Sequence, residues 1–267
     1  MDDAELSVQV AQQAGRLLLD LRNDFGPTES RERADELRDA ADRASHVLIS
    51  DVISEQRPKD AILSEEGKDD DTRLAANRVW IVDPLDGTWE FGQQRPDFAV
   101  HVALWVPQAQ ELQACTVDLP AQGVTRSSRD SVSAPGPLPV DRPIRIVASR
   151  SRPPATLARA VELLTDALRS SGINEFGAEI VDVGSVGAKV NEIISGRAEA
   201  YVHDTGFYEW DVAAPVGVAE HYGYDASHVD GAPLDFNHMP PYVTDLVVSH
   251  PLLTDALHEA MSGAART

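Results

Sequence analysis

The stretch Trp80-Ile81-Val82-Asp83-Pro84-Leu85-Asp86-Gly87-Thr88 carries a short apolar run straight into two aspartates, a proline and a glycine. The run from Val79 to Val82 predicts a buried strand that ends at Asp83, because Pro84 has no N–H to give to a ladder. Gly87 permits a tight backbone turn, on which Asp83 and Asp86 can converge on one point. Oxygen-rich, highly charged sites of this kind suit hard cations such as Mg²⁺. A surface Asp-Gly turn would look the same locally, so the choice between them rests on what else the chain brings.

More acids stand at the ends of predicted elements. Ala61-Ile62-Leu63 reads as another short buried strand and runs into Ser64-Glu65-Glu66-Gly67. Asp211, within Glu209-Trp210-Asp211-Val212-Ala213-Ala214, falls at the expected start of a helix, where an aspartate caps the helix or, facing a cleft, binds metal. Together these residues supply the carboxylates of a two-metal site, in which ions ~3.5–4 Å apart activate water and stabilise a leaving oxygen.

Around these acids the pattern is that of a layered α/β protein. Leu6, Val10, Ala14, Leu17, Leu18 and Leu21 predict a first amphipathic helix closed near Gly26-Pro27. Leu37, Ala41, Ala44, Leu48 and Val52 predict a second, ended by Pro58. Phe98, Val100, Val102 and Leu104 alternate as a strand, and Cys115 to Asp118 suggests another. The proline-rich stretch from Ser133 to Pro143 is the expected linker. It divides residues 1–137, which carry most of the candidate ligands, from residues 138–267, which alternate strand and helix and supply Asp211.

Composition excludes several function classes. With 267 residues, 42% of them hydrophobic and 25% charged, the chain can bury a sizeable core. No apolar run approaches the ~20 residues that span a bilayer, and the acidic N-terminus is unlike a secretory signal. The single cysteine, Cys115, leaves no intramolecular disulfide and suits a reducing cytoplasm. A net charge of −21 without a basic cluster argues against nucleic acid and anionic membranes as partners. Phosphate binding stays open, since divalent cations can stand between the carboxylates and the ligand.

The sequence resembles the lithium-sensitive inositol monophosphatase superfamily on three motifs in order: Glu65-Glu66, Asp83-Pro84-Leu85-Asp86-Gly87-Thr88, and Trp210-Asp211-Val212-Ala213-Ala214. The resemblance implies a five-layer αβαβα sandwich and a Mg²⁺-dependent phosphatase with two or three ions, inhibited by Li⁺, that acts as a monomer or homodimer on a small-molecule phosphate ester. It places Glu65, Asp83, Asp86 and Asp211 among the metal ligands, with Leu85 lending its carbonyl. Thr88 and Asp42 become the pair that positions and deprotonates the attacking water. Glu36-Leu37-Arg38-Asp39 stands where the family commonly has Lys and Thr before this aspartate. The Asp-x-x-Asp-Gly-Thr spacing differs from the Asp-x-Asp-x-Thr of haloacid-dehalogenase-type enzymes, so direct attack by water is expected over a phospho-aspartyl intermediate.

Thr88-Trp89-Glu90-Phe91 resembles the CysQ-type nucleotide phosphatases of the superfamily, above all their actinobacterial branch, with Trp89 where Lys or Arg often stands. That branch implies hydrolysis of 3'-phosphoadenosine 5'-phosphate, and of its sulfated precursor. Gly87, Thr88, Ser149, Arg150, Gly184, Ser185, Lys189 and Asp204 are the expected substrate contacts, with Ser151 in the same stretch. Asp204, where inositol monophosphatases bind sugar hydroxyls, keeps inositol-1-phosphate open, with fructose-1,6-bisphosphate and a non-catalytic metabolite binder as further readings. His101 and His203 read as structural residues.

Overall fold

The computed structural model describes residues 1–28, 30–69, 71–150 and 152–266. Helices α1 (Asp3–Phe25) and α2 (Arg31–Gln56) cover one face of a first sheet. That sheet is formed, in spatial order, by β1 (Ala61–Ser64), β2 (Val79–Asp86), β3 (Ala99–Val106), β4 (Glu111–Leu119) and β5 (Val124–Ser127). A one-turn helix, α3 (Thr88–Gly92), separates β2 from β3. The remaining elements are β6 (Ile144–Ser149), α4 (Leu157–Ser170), β7 (Ala178–Val183), α5 (Val186–Ile194), β8 (Ala200–His203), β9 (Phe207–Tyr208), α6 (Glu209–His221), β10 (Asp225–Ser227), β11 (Tyr242–Val243), β12 (Leu246–Ser249) and α7 (Thr254–Ala265). They build a second sheet in the order β10-β12-β8-β6-β7, while β9 and β11 pair apart from it.

The layers follow from which strand faces are apolar. On β3, Val100, Val102 and Leu104 join Trp80 and Val82 of β2 against Leu6, Val10, Leu18, Leu37 and Ile49 of α1 and α2. Ala99, Ala103 and Trp105 point the other way, into a core shared with Val190 of α5, Val212 and Val216 of α6, and Val147 and Tyr201 of the second sheet. The far face of that sheet, with Ile144, Ile146 and Val202, packs on Leu164 of α4 and Leu257 of α7. Both sheets are therefore apolar on both faces and sandwiched between helices, giving the expected five αβαβα layers.

Two local expectations are corrected. β2 does not end at Asp83: it pairs Asp83 with His101 and Asp86 with Ala99, so three steps on β2 oppose two on β3 and one extra residue bulges out. Pro84 is tolerated there because β1 pairs only as far as Val82, leaving no ladder partner on that side. The buried face of α2 is also rotated from the apolar stripe: Ala41, Asp42, Ser45, Ile49 and Ile53 are buried, whereas Ala44, Leu48 and Val52 are half-buried. The cause is polar, and so invisible to a hydrophobic count: Ser45 donates its hydroxyl proton to the Pro84 carbonyl at 2.8 Å, tying α2 to the bulge.

Gly87 closes the bulge with φ of +83°, and a Cβ there would lie 3.0 Å from Ser185 Cβ and 3.2 Å from the Asp97 carbonyl. Gly87→Ala is expected to cost about 1–2 kcal/mol from the left-handed backbone alone, read as a fall of several degrees in Tm of the metal-free protein. An unchanged Tm would show that this turn relaxes freely.

Candidate active site

The bulge turns the end of β2 into the floor of a pit. Asp83 is 1% exposed and Asp86 6%. Asp211 meets them from the first turn of α6, and one carboxylate oxygen from each of the three lies within 4.8 Å of the others. Asp83 Oδ1 accepts the Leu85 N–H at 2.9 Å. Asp86 Oδ2 accepts the Gly187 N–H at 2.9 Å and lies 3.1 Å from His101 Nε2. Asp211 is not the helix cap: Tyr208 occupies that position, and Asp211 Oδ2 accepts the Tyr208 N–H at 2.8 Å. Glu65 enters from the end of β1, where Ser64 pairs with Val82, near enough to Asp83, Asp86 and Asp211 for their charges to act on its carboxyl group.

So many acids in one place oppose one another's ionisation. Burial, then Glu65, Asp86, Asp211 and Asp42, hold Asp83 well above the usual carboxylate range. Burial and the charges of Glu65 and Glu66 push Asp42 up to about 8, and its Oδ1 is buried with no hydrogen-bond partner. Glu65 is exposed as a residue, yet desolvation of its carboxylate and the facing Asp211 raise it to about 7. Asp211 rises to about 6 through burial and Asp86. Asp86 alone falls below its ordinary value: burial opposes its charge, but His101, the Gly187 N–H and Lys189 outweigh that cost. An all-oxygen pit holding excess negative charge is the chemistry of a hard-cation site.

Beside the pit lies a cavity of about 250 Å³ bordered by Asp86, Asp211, Thr88, Lys189, Arg150 and Arg152 among others. Its cationic wall is built from the second sheet and α5. Lys189 is only 3% exposed and donates to the Gly184 and Ser185 carbonyls. Burial lowers its ammonium to about 8 against the pull of Asp86 and Glu90.

A sequence model of the inositol monophosphatase family matches residues 2–262. The chain is 39% identical to the 3'-phosphoadenosine 5'-phosphate phosphatase of Mycobacterium leprae, covering 97% of this chain and 94% of that protein. It is 40% identical to the Mycobacterium tuberculosis protein of the same name, over 92% of this chain and 90% of the relative. Among solved structures, CysQ from Bacteroides thetaiotaomicron superposes with a TM-score of 0.73 at 24% identity, covering 93% of this chain and 97% of that one. The chain belongs to the inositol monophosphatase family.

In this family member the structure brings Asp83, Asp86 and Asp211 together, with Leu85 buried between the two aspartates of β2, while Glu65 stands outside that cluster but within reach of its charges. Thr88 borders the cavity and donates to the Leu85 carbonyl at 3.0 Å, while Asp42 lies on α2 under the influence of Glu65 and Glu66. Gly87, Ser149, Arg150, Gly184, Ser185 and Lys189 all border the cavity. Arg150 is held there by Glu90 at 3.2 Å and Asp97 at 3.1 Å. Asp204 is not among the residues bordering the cavity; it is half-buried and faces the charge of Asp245. Ser151 lies outside the described residues.

Sequence reasoning read His101 as structural and did not single out Tyr201 or Arg152. His101 follows from the strand pairing, since the residue opposite Asp83 sits one step from the bulge. Tyr201 borders the cavity with its hydroxyl buried and unpartnered. Nothing local in the sequence marked either one.

The raised acids set the pH dependence of the metal-free protein. Asp42, Glu65 and Asp211 ionise near 4 when unfolded and at about 8, 7 and 6 when folded, so the folded state holds more protons across that window. Their contribution is fully present below about pH 4 and is lost as pH rises through the folded values. In the absence of divalent ions, Tm is expected to fall between pH 6 and 8.5, and less steeply in Asp42→Asn. Equal slopes in the two proteins would contradict the placement of Asp42.

Proposed function

We propose that this family member is a Mg²⁺-dependent 3'-phosphatase that converts 3'-phosphoadenosine 5'-phosphate to AMP and phosphate, and accepts 3'-phosphoadenylyl sulfate as well. The observation that carries this reading is one small cavity with an acidic floor, Asp86 and Asp211, and a cationic wall, Lys189, Arg150 and Arg152. The similarity to mycobacterial proteins named for that activity, over nearly the whole chain, supports the choice of ester.

Glu65, Asp83, Asp86 and Asp211, with the Leu85 carbonyl, are the residues that would hold magnesium. The donor set fits, being all oxygen and strongly anionic. Bound magnesium supplies Lewis acidity and lowers the pKa of water. The protein's own groups do the rest. The Thr88 hydroxyl spends its proton on Leu85, which leaves its lone pairs to accept from a water molecule. Asp42, with Oδ1 unpartnered, takes the proton as that water attacks phosphorus. Positive charge in the pit favours the ionised form of Asp42 that this role needs. Lys189 and the N-terminal turns of α5 and α6 receive the phosphate oxygens. A new P–O bond to the water oxygen forms as the P–O bond to the 3'-oxygen breaks, and that oxygen leaves with a proton from solvent.

Phosphate release with Mg²⁺ should show higher kcat/KM for 3'-phosphoadenosine 5'-phosphate than for inositol-1-phosphate or fructose-1,6-bisphosphate, and Li⁺ should inhibit it. Preference for the inositol ester would overturn the substrate while keeping the site. Asp83→Asn and Asp86→Asn are each expected to abolish turnover. Asp83→Asn should also leave the metal-free Tm unchanged or higher, because it removes one of the opposing charges. Near-normal activity in either variant would rule out the metal assignment.

A further inference from the structure

Trp89 is an aromatic residue that the chemistry above leaves unused. Its indole is 51% exposed, whereas Trp80, Trp105 and Trp210 are 0%, 2% and 9% exposed. It follows Thr88 in the first turn of α3 and borders two cavities at once. One is floored by Asp86 and Asp211; the other, of about 520 Å³, is edged by Thr28, Arg31, Arg38 and Gln93. Two of the four arginines that border these cavities are engaged by acids: Arg150 by Glu90 and Asp97, and Arg38 by Asp35. Between these cations Trp89 adds a flat, uncharged aromatic face to the lip that the two cavities share. A large indole left bare beside a polar cavity is typical of a binding surface rather than of a core.

We propose that Trp89 is the platform on which the purine base of the substrate stacks, and that it selects nucleoside phosphates over base-free polyol phosphates. This rests on the nucleotide reading above. In a nucleoside 3'-phosphate the ribose separates the reacting phosphate from the base. With the phosphate on the floor formed by Asp86 and Asp211, the base falls at the mouth of the cavity, where Trp89 stands. Stacking needs only a π-face, so it adds affinity for a base without adding charge, and an inositol or sugar phosphate gains nothing from it.

The test compares wild type with Trp89→Leu, which keeps apolar cover but removes the aromatic face, and Trp89→Phe, which restores a smaller ring. The measurements are kcat and KM for 3'-phosphoadenosine 5'-phosphate, and inhibition constants for AMP and for ribose 5-phosphate, its base-free counterpart, all with Mg²⁺. Trp89→Leu should raise the nucleotide KM and the AMP inhibition constant about ten-fold, with kcat held within about two-fold. Ribose 5-phosphate inhibition should not move, and Trp89→Phe should recover most of the loss. Equal losses for AMP and ribose 5-phosphate, or no loss for either, would overturn the platform while wild-type turnover of the nucleotide keeps the function. A wild type that does not hydrolyse the nucleotide overturns both.

Discussion

The constraint on which this structure depends is the mutual repulsion of carboxylates at the end of β2. Asp83 and Asp86 are buried, and Asp211, Glu65 and Asp42 add charge around them. A fold of ordinary stability has only several kcal/mol to spare, so the acids must either stay partly protonated or find compensating charge. The architecture supplies some. Asp211 sits in the first turn of α6, and Asp86 accepts an N–H from the first turn of α5, so both lie at the positive ends of helix dipoles. His101 stands beside Asp86. Among the described residues Asp42 has no such partner for Oδ1, and Asp83 accepts from the Leu85 N–H alone. Asp83 and Asp42 are thus the least compensated of these acids, and positive charge in the pit would relieve both.

The same arrangement explains how a chain of net charge −21 can present a cationic wall. Lys189 is held between backbone carbonyls of the turn before α5 and lies 5.2 Å from the centre of the Tyr201 ring. Arg150 is fixed by two acids, so its guanidinium is oriented more than it is a free charge. Gly184 makes that packing possible: a Cβ there would come within 2.5 Å of Asp97 Oδ2. The positive field is thus local and rigid, built on a surface that is otherwise anionic.

Legibility in the sequence followed the range of the interaction. A layered α/β protein and the acids of the pit were legible because they depend on local signals, apolar runs of strand length, a proline where a ladder ends and a glycine where φ is positive, whereas the five αβαβα layers came from the family resemblance. The bulge was only half legible. Pro84 marked a break in pairing, but whether β2 stops or continues to Asp86 is settled by its antiparallel partner, which the sequence does not align. His101 and Tyr201 owe their places to pairing between strands and to layers meeting across the core, and neither leaves a periodic trace. The face of α2 misled for the opposite reason: Asp42 and Ser45 are buried for polar purposes, and a hydrophobic stripe records only apolar ones.

One further long-range network bears on how the pit keeps its shape. Glu209 is fully buried two residues before Asp211, and it accepts the N–H groups of Asn237 and His238, each at 2.7 Å. Arg73, itself nearly buried, joins Asp69 to the Asn237 side chain and the His238 carbonyl. The start of α6 is thereby anchored to segments from both halves of the chain. Repulsion from Asp86 pushes Asp211 away from the floor, and a helix end held only by its own turn could yield by fraying. A buried, fully bonded carboxylate within the same turn resists that motion, since moving it would strand a charge away from water. The carboxylate that completes the pit thus comes from the helix layer between the two sheets, on backbone held by bonds beyond its own turn.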